Sequence, residues 1–205
     1  MRKYYLWMLT AILLCGSQTV LAQDDEPSFI VTEGDIQVLK QKGKTGTVEF
    51  DYDQAKVGNL STMEISNETI LEFLAKNDQK ASRKWGDYLE EGEETFIKRW
   101  NDEKKRCIKL IEKGPADYKI KVKADYFDVG SPGAATWSWN RRDGGIMISG
   151  TLEVLDANGT SVCKMKINRY RGRASRPFDF AAPFSRRMEL FHKGLARDLL
   201  ILTLG

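Results

Sequence analysis

The sequence predicts a single domain of the α+β class, with helices packed on one face of a mainly antiparallel sheet. Three observations carry that prediction. Apolar and polar residues alternate with period two in separate runs near 47–52, 118–126, 146–155 and 161–170. Apolar residues recur at helical spacing within 66–113 and again after Pro183. Strand runs follow one another directly, and neither an internal repeat nor a long linker divides the chain.

Composition agrees with a folded core. The 205 residues are 41% hydrophobic and 30% charged, with 32 Lys plus Arg against 29 Asp plus Glu, which excludes collagen-like, low-complexity and wholly disordered chains. The net charge of +3 gives no field of one sign to draw a nucleic acid.

Residues 1–22 read as a secretory signal: Arg2 and Lys3, an apolar run over 6–14, and Val20-Leu21-Ala22 before the polar Gln23-Asp24-Asp25-Glu26. That run is shorter than the roughly 20 apolar residues of a bilayer span. Cys15 follows Ile12-Leu13-Leu14 and lacks the small residue that a lipid-attachment site needs before its cysteine. Cleavage after Ala22 is expected, with a periplasmic or secreted product that has no membrane span. Residues 23–28, acidic and holding Pro27, read as a flexible arm, and 29–205 as the domain.

Residues 34–40 and 47–52 flank the turn-rich 41–46 and predict a hairpin with one wet face, since Val48, Phe50 and Tyr52 alternate with Glu49, Asp51 and Asp53. Ile70, Phe73 and Leu74 form one helical stripe, and Phe96, Trp100, Cys107 and Ile111 another. Gly86 and Gly92 interrupt the pattern, so helices are expected near 67–84 and 93–113, joined by a partly helical stretch with Trp85 and Tyr88. Gly114-Pro115 stops the second. Tyr118, Ile120, Val122, Ala124 and Tyr126 predict a strand whose other face carries Lys119, Lys121 and Lys123, met by acids on neighbouring strands. Residues 146–155 and 161–170 pair across the turn Asp156-Ala157-Asn158-Gly159. Pro183 opens a helix striped by Phe184, Met188, Phe191, Leu195, Leu199 and Leu202.

The runs Thr47-Val48-Glu49-Phe50-Asp51-Tyr52, Ala116-Asp117-Tyr118-Lys119-Ile120 and Gly150-Thr151-Leu152-Glu153-Val154, with the aromatic stretch around Trp85 and 96–101 and the last amphipathic helix, resemble a group of uncharacterised exported proteins of the Gram-negative envelope. The architecture is similar to the amino-terminal domain of the Tol translocation protein and to lipoprotein activators of peptidoglycan synthases. The resemblance implies an α+β envelope module and carries over no catalytic residue.

No familiar catalytic constellation stands out. His192 is the one histidine, which excludes multi-histidine zinc sites, and it lies at the edge of an apolar helix stripe where a packed role is expected. Nucleophile-elbow, phosphate-loop and dinucleotide motifs are absent. Asp51-Tyr52-Asp53 begins like a calcium loop, but Lys56 and Thr62 occupy its glycine and glutamate positions. No metal or cofactor is expected. Glu90, Glu91, Glu93 and Glu94 read as a solvated helix start.

Cys107 and Cys163 share the parity of core residues on their elements. Two readings stay open: a disulfide contributing about 4 kcal/mol by the chain-entropy model, or two buried thiols acting as small apolar groups.

The leading contact group lies in 130–145, where Trp137 and Trp139, two residues apart, stand beside Arg141 and Arg142. Stacking faces and guanidinium donors suit a sugar, an anionic glycan or a partner loop, the alternative being rings that cover a sheet edge. Arg169, Arg171, Arg173 and Arg176, with Arg186 and Arg187, form a second candidate patch for anions. The first three continue the inward parity of Cys163, Met165 and Ile167, so a bulge near Asn168 or the sheet's end must turn them out. The expected function is a non-enzymatic, exported envelope module that binds a protein or glycan. The alternatives are a small hydrolase or transferase acting on envelope polymers, and a structural subunit self-associating through a sheet edge.

Overall fold

The computed structural model describes residues 27–60, 62–102, 106–130, 145–172 and 183–205. Its strands are β1 (Phe29–Gly34), β2 (Thr45–Asp51), β3 (Lys56–Asn59), β4 (Glu64–Thr69), β5 (Lys109–Leu110), β6 (Tyr118–Asp128), β7 (Met147–Asp156) and β8 (Ser161–Arg171). The α-helices are α1 (Ile70–Asn77), α2 (Gln79–Arg83), α3 (Trp85–Asn101) and α4 (Phe184–Leu204), and a 3-10 turn spans Ile36–Leu39.

Period two makes β6, β7 and β8 the centre of an eight-stranded sheet ordered β1-β8-β7-β6-β2-β5, with β3 on β6 and β4 on β3. Alternate residues bury one face: Ile120, Val122 and Ala124 on β6, Leu152 and Val154 on β7, Cys163, Met165 and Ile167 on β8. Against them pack Phe96, Ile97 and Trp100 of α3 and Met188, Phe191, Leu195 and Leu199 of α4. Each such side chain contributes roughly 1.5–3 kcal/mol by leaving water. The fold is α+β in one domain, as the alternation and the helical stripes predict. Antiparallel pairing dominates, although β2 runs parallel to both β6 and β5, and β3 parallel to β6.

The hairpin expected over 34–40 and 47–52 does not form. The Asp35 carboxylate accepts from the Gln37 N–H at 2.9 Å and starts the 3-10 turn, whose Ile36 and Leu39 fall on one side at spacing three and are both buried. That turn carries the chain beneath the sheet from β1, paired with β8, to β2 beside β6.

The helical region is also redistributed. Thr69 and Glu72 close a capping box that ends β4 and starts α1, and Asp78 caps α2 through the Ala81 N–H. The stretch around Trp85 and Tyr88 belongs to α3, which stops at Asn101, well short of 113. There the Asn101 side chain bonds the Leu110 N–H and C=O at 2.9 and 2.8 Å, and the Trp100 indole N–H donates to the Ile108 carbonyl at 3.0 Å. These bonds turn the chain back into β5, so Cys107 and Ile111 are not helical.

Neither reading of the cysteines holds in full: both are thiols, but only Cys163 is buried, and Cys107 is half-buried. No bond joins Cys107 to Cys163. Cys163 lies on β8, beside the edge strand β1, whereas Cys107 precedes β5 at the other edge, with β7, β6 and β2 between. That is about 19 Å measured across the strands, against the ~7 Å limit for bridged Cα atoms.

Candidate functional site

The two segments singled out in the sequence leave the fold at the same end of the sheet. Asp128, the last residue of β6, pairs with Met147 of β7, which pairs with Arg171 of β8. Beyond that row the Gly172 N–H donates to the Ile146 carbonyl at 3.1 Å. A Cβ on Gly145 would stand 2.8 Å from the Gly172 carbonyl oxygen, so this close approach of two backbones requires glycine. The roots of 131–144 and 173–182 therefore touch. Trp137, Trp139, Arg141, Arg142, Arg173 and Arg176 themselves lie outside the described residues.

Both roots are fixed by side chains. Asp128 accepts from the Gly130 N–H at 2.8 Å with one carboxylate oxygen and from the Leu60 N–H at 3.1 Å with the other. Gly130 has φ +70°, the left-handed conformation that glycine supplies. Arg187, in the first turn of α4, donates through Nη1 to the Val129 carbonyl and, at 3.3 Å, to the Gly130 carbonyl. Its guanidinium lies 5.4 Å from the centre of the Phe184 ring. Phe184 in turn stacks on Trp85, whose indole N–H donates to Asp53 at 2.7 Å. Burial pulls the Arg187 guanidinium below its usual range, opposed by the charges of Asp78 and Asp128. Among the described residues, its buried Nε has no hydrogen-bond partner. Arg187 holds the β6 terminus, and Arg186 pairs with Glu189, so neither stands as the open anion donor the sequence suggested.

Of the second patch, Arg169 and Arg171 are described. The bulge expected near Asn168 is present, because Asn168 and Arg169 together oppose Ser149 between the pairs Ile167–Gly150 and Tyr170–Ile148. Arg169 adopts φ +44° and its N–H donates to Ser149 Oγ at 2.9 Å. The extra residue shifts the parity, so Tyr170 points inward, 3% exposed, with its hydroxyl donating to Asp198 at 3.1 Å. Arg169 and Arg171 stay half-buried at the rim of the sheet end.

His192 lies on the inner side of α4 and is wholly buried. Its Nδ1 is 2.8 Å from the Met188 carbonyl, which only accepts, so Nδ1 carries the proton and Nε2 faces the Tyr52 hydroxyl at 3.5 Å. Phe50 packs edge-on to the ring at 4.4 Å, and Gly92 of α3 covers its other side. Burial lowers the imidazole from 6.5 to about 4, against the opposing hydrogen bond to Met188. Tyr52, equally buried, is pushed well above its ordinary value. This neutral pair belongs to the core. Among the described residues, no helix is long and apolar enough to cross a membrane, and no group of His, Cys, Asp or Glu is arranged to hold a metal ion.

The roles of Asp128 and Arg187 escaped the sequence reading. The Asp-x-Gly spacing of Asp128 and Gly130 signals a side-chain-stabilised turn, but no local pattern tells that Arg187 meets it from the last helix.

No protein-family model matches the chain, and no curated protein matches it. Two solved structures of PelC dodecamers from Paraburkholderia phytofirmans are similar. One, a point variant, is 12% identical, covers 80% of this chain and 95% of that one, and has a TM-score of 0.33. The other is 10% identical, covers 80% and 96%, and has a TM-score of 0.31.

Proposed function

We propose that this chain is an exported, non-enzymatic binding module of the cell envelope that recognises a protein partner or a glycan at the β6–β7–β8 end of its sheet. The observation that supports the reading is the contact of Gly145 with Gly172, the residues that border in sequence the segments holding Trp137, Trp139, Arg141 and Arg142 and Arg173 and Arg176. Asp128 and Arg187 give those segments a fixed origin, and fixed stems lower the ordering cost of binding. Aromatic faces beside guanidinium groups suit a sugar ring, an anionic glycan or a partner loop. The sole histidine is sealed beneath α3 and is not available as a general base to anything bound at the surface.

The test uses the chain from Gln23 as bait in detergent-solubilised envelope, beside the double variant Trp137→Ala, Trp139→Ala. The expected result is a specific protein or glycan retained by the natural sequence and lost with the variant, at equal melting temperature. Equal retention by both, or turnover of a cell-wall polymer by the purified protein, overturns the reading.

A further inference from the structure

The acceptor tripeptide for N-linked glycans, Asn-x-Ser/Thr, occurs three times, as Asn59-Leu60-Ser61, Asn67-Glu68-Thr69 and Asn158-Gly159-Thr160. The structure treats the three differently. Leu60 is fully buried, its N–H is held by Asp128, and the Asn59 side chain accepts from the Thr62 N–H. Asn67 lies on β4, and the Thr69 hydroxyl is taken up in the capping box with Glu72. Asn158, Gly159 and Thr160 are all exposed at the tip of the β7–β8 hairpin.

That tip is a preformed, outward turn. One Asp156 carboxylate oxygen accepts from the Asn158 N–H at 2.8 Å and the Thr160 N–H at 2.9 Å, and the Gly159 N–H donates to the Asp156 carbonyl at 2.9 Å. Gly159 has φ +81°, and a Cβ built there meets no atom within 4 Å. Among the described residues, the Asn158 amide nitrogen has one long contact, 3.5 Å to the Asp156 carboxylate.

We infer that Asn158 is an acceptor site for an N-linked oligosaccharide. The inference rests on the export reading, since the transfer takes place across a membrane from the cytoplasm. In the step, Asn158 Nδ2 bonds to the anomeric carbon of a lipid-pyrophosphate-linked oligosaccharide. The bond from that carbon to the pyrophosphate oxygen breaks, lipid pyrophosphate leaves, and one amide proton is released. An oligosaccharyltransferase and its lipid-linked donor are the co-reactants. The sugar would stand at the opposite end of β7 from Met147, about 30 Å away at ~3.4 Å per residue, leaving the proposed contact end uncovered.

The test expresses the full chain in a host that exports it and carries an oligosaccharyltransferase with its lipid-linked donor, beside a known glycosylated control. Intact mass and the amino-terminal sequence are read for the natural chain and for N158Q, T160A, N67Q and N59Q. The expected result is a processed amino terminus with an added glycan mass, fully lost in N158Q and T160A and kept in N67Q and N59Q. An exported, processed chain without added mass while the control is modified overturns this inference alone, as does added mass that persists in N158Q. A chain retained in the cytoplasm with residues 1–22 attached overturns the export reading and this one with it.

Discussion

Acidification tests the buried histidine. In the unfolded chain His192 titrates near 6.5, whereas in the fold burial lowers it to about 4. Above pH 6.5 the ring is neutral in both states and contributes no pH dependence. Between 6.5 and about 4 the unfolded chain takes up a proton that the folded one refuses, so stability falls as pH drops. Below about 4 both states are protonated and the loss levels off. A difference of 2.5 units at ~1.36 kcal/mol per unit comes to about 3 kcal/mol, a large part of the 5–15 kcal/mol that holds a typical domain. Carboxylates whose folded values are lowered, such as Glu49 beside Lys119, lose their contribution only at lower pH, below their ordinary 4.5. The two effects overlap only between 4.5 and about 4, and Glu93, which burial shifts upward and which acts in the opposite sense, is common to the natural chain and a reference without the ring. Urea unfolding at half-unit steps from pH 7.5 to 4 measures the loss, with His192→Gln as the reference that lacks the titrating ring. An unfolding free energy flat across the window, or an equal fall in His192→Gln, refutes the assignment of the loss to this ring.

Three further outcomes follow from particular contacts. Gly92→Ala puts a methyl 2.5 Å from His192 Nδ1, against a ring already held by Phe50 and Tyr52, and should cost ~1–3 kcal/mol; a double-mutant cycle with His192→Ser should recover part of that as coupling. Asn101→Ala strips both backbone partners from Leu110 and should lower stability by ~1–3 kcal/mol, with Asn101→Asp in between because it keeps the acceptor, as equilibrium unfolding would measure. Burial pushes the Cys163 thiol up to about 11, so iodoacetamide at pH 8 should leave it unmodified in the folded chain and alkylate it after unfolding, as peptide mapping would show.

Elements whose apolar period is long and faces one partner were legible. β6, β7 and β8 keep their expected bounds to within two residues and α4 follows its stripe as far as Leu199, but β6 shifts register after Ala124, so Tyr126 is exposed and Phe127 buried in its place; of the two devices the arginine parity allowed, a bulge or the sheet's end, the bulge forms at Asn168. At the end of α4 the stripe drifts, and Thr203 is buried while Leu202 is 37% exposed. What misled was information held elsewhere in the chain. Ile36 and Val38 alternate like a strand over a stretch too short to reveal that Asp35 caps a turn. Gly92 looks like a helix break and is instead the space into which the His192 ring fits, one hundred residues away. The end of α3 depends on Asn101 meeting Leu110, so Cys107 appeared on a stripe it never joins. At the candidate site the attachment of both segments to one sheet end required strand order, which periodicity does not contain.

A row of matched charges on one face of the sheet supports the proposed contact at the end of the strands. Register places Glu33, Lys164, Glu153, Lys121 and Glu49 in one row across β1, β8, β7, β6 and β2, with sign alternating at every step. Lys119 adds an ion pair to Glu49, and Lys121 lies 3.8 Å from the same carboxylate. Opposite charges on paired strands contribute roughly 0.2–1 kcal/mol each while they stay hydrated. A partner laid flat on this face would strip water from the whole row, and its charges would already be matched to one another, leaving little to repay that cost. The strand termini present a different surface. There the charge of Arg187 is spent within the fold, and Arg169 and Arg171 lie half-buried at the rim. A ligand of either proposed class would meet the desolvation cost of that row on the face and not at the strand ends, so the proposed function puts its deciding substitutions in the two segments that begin there.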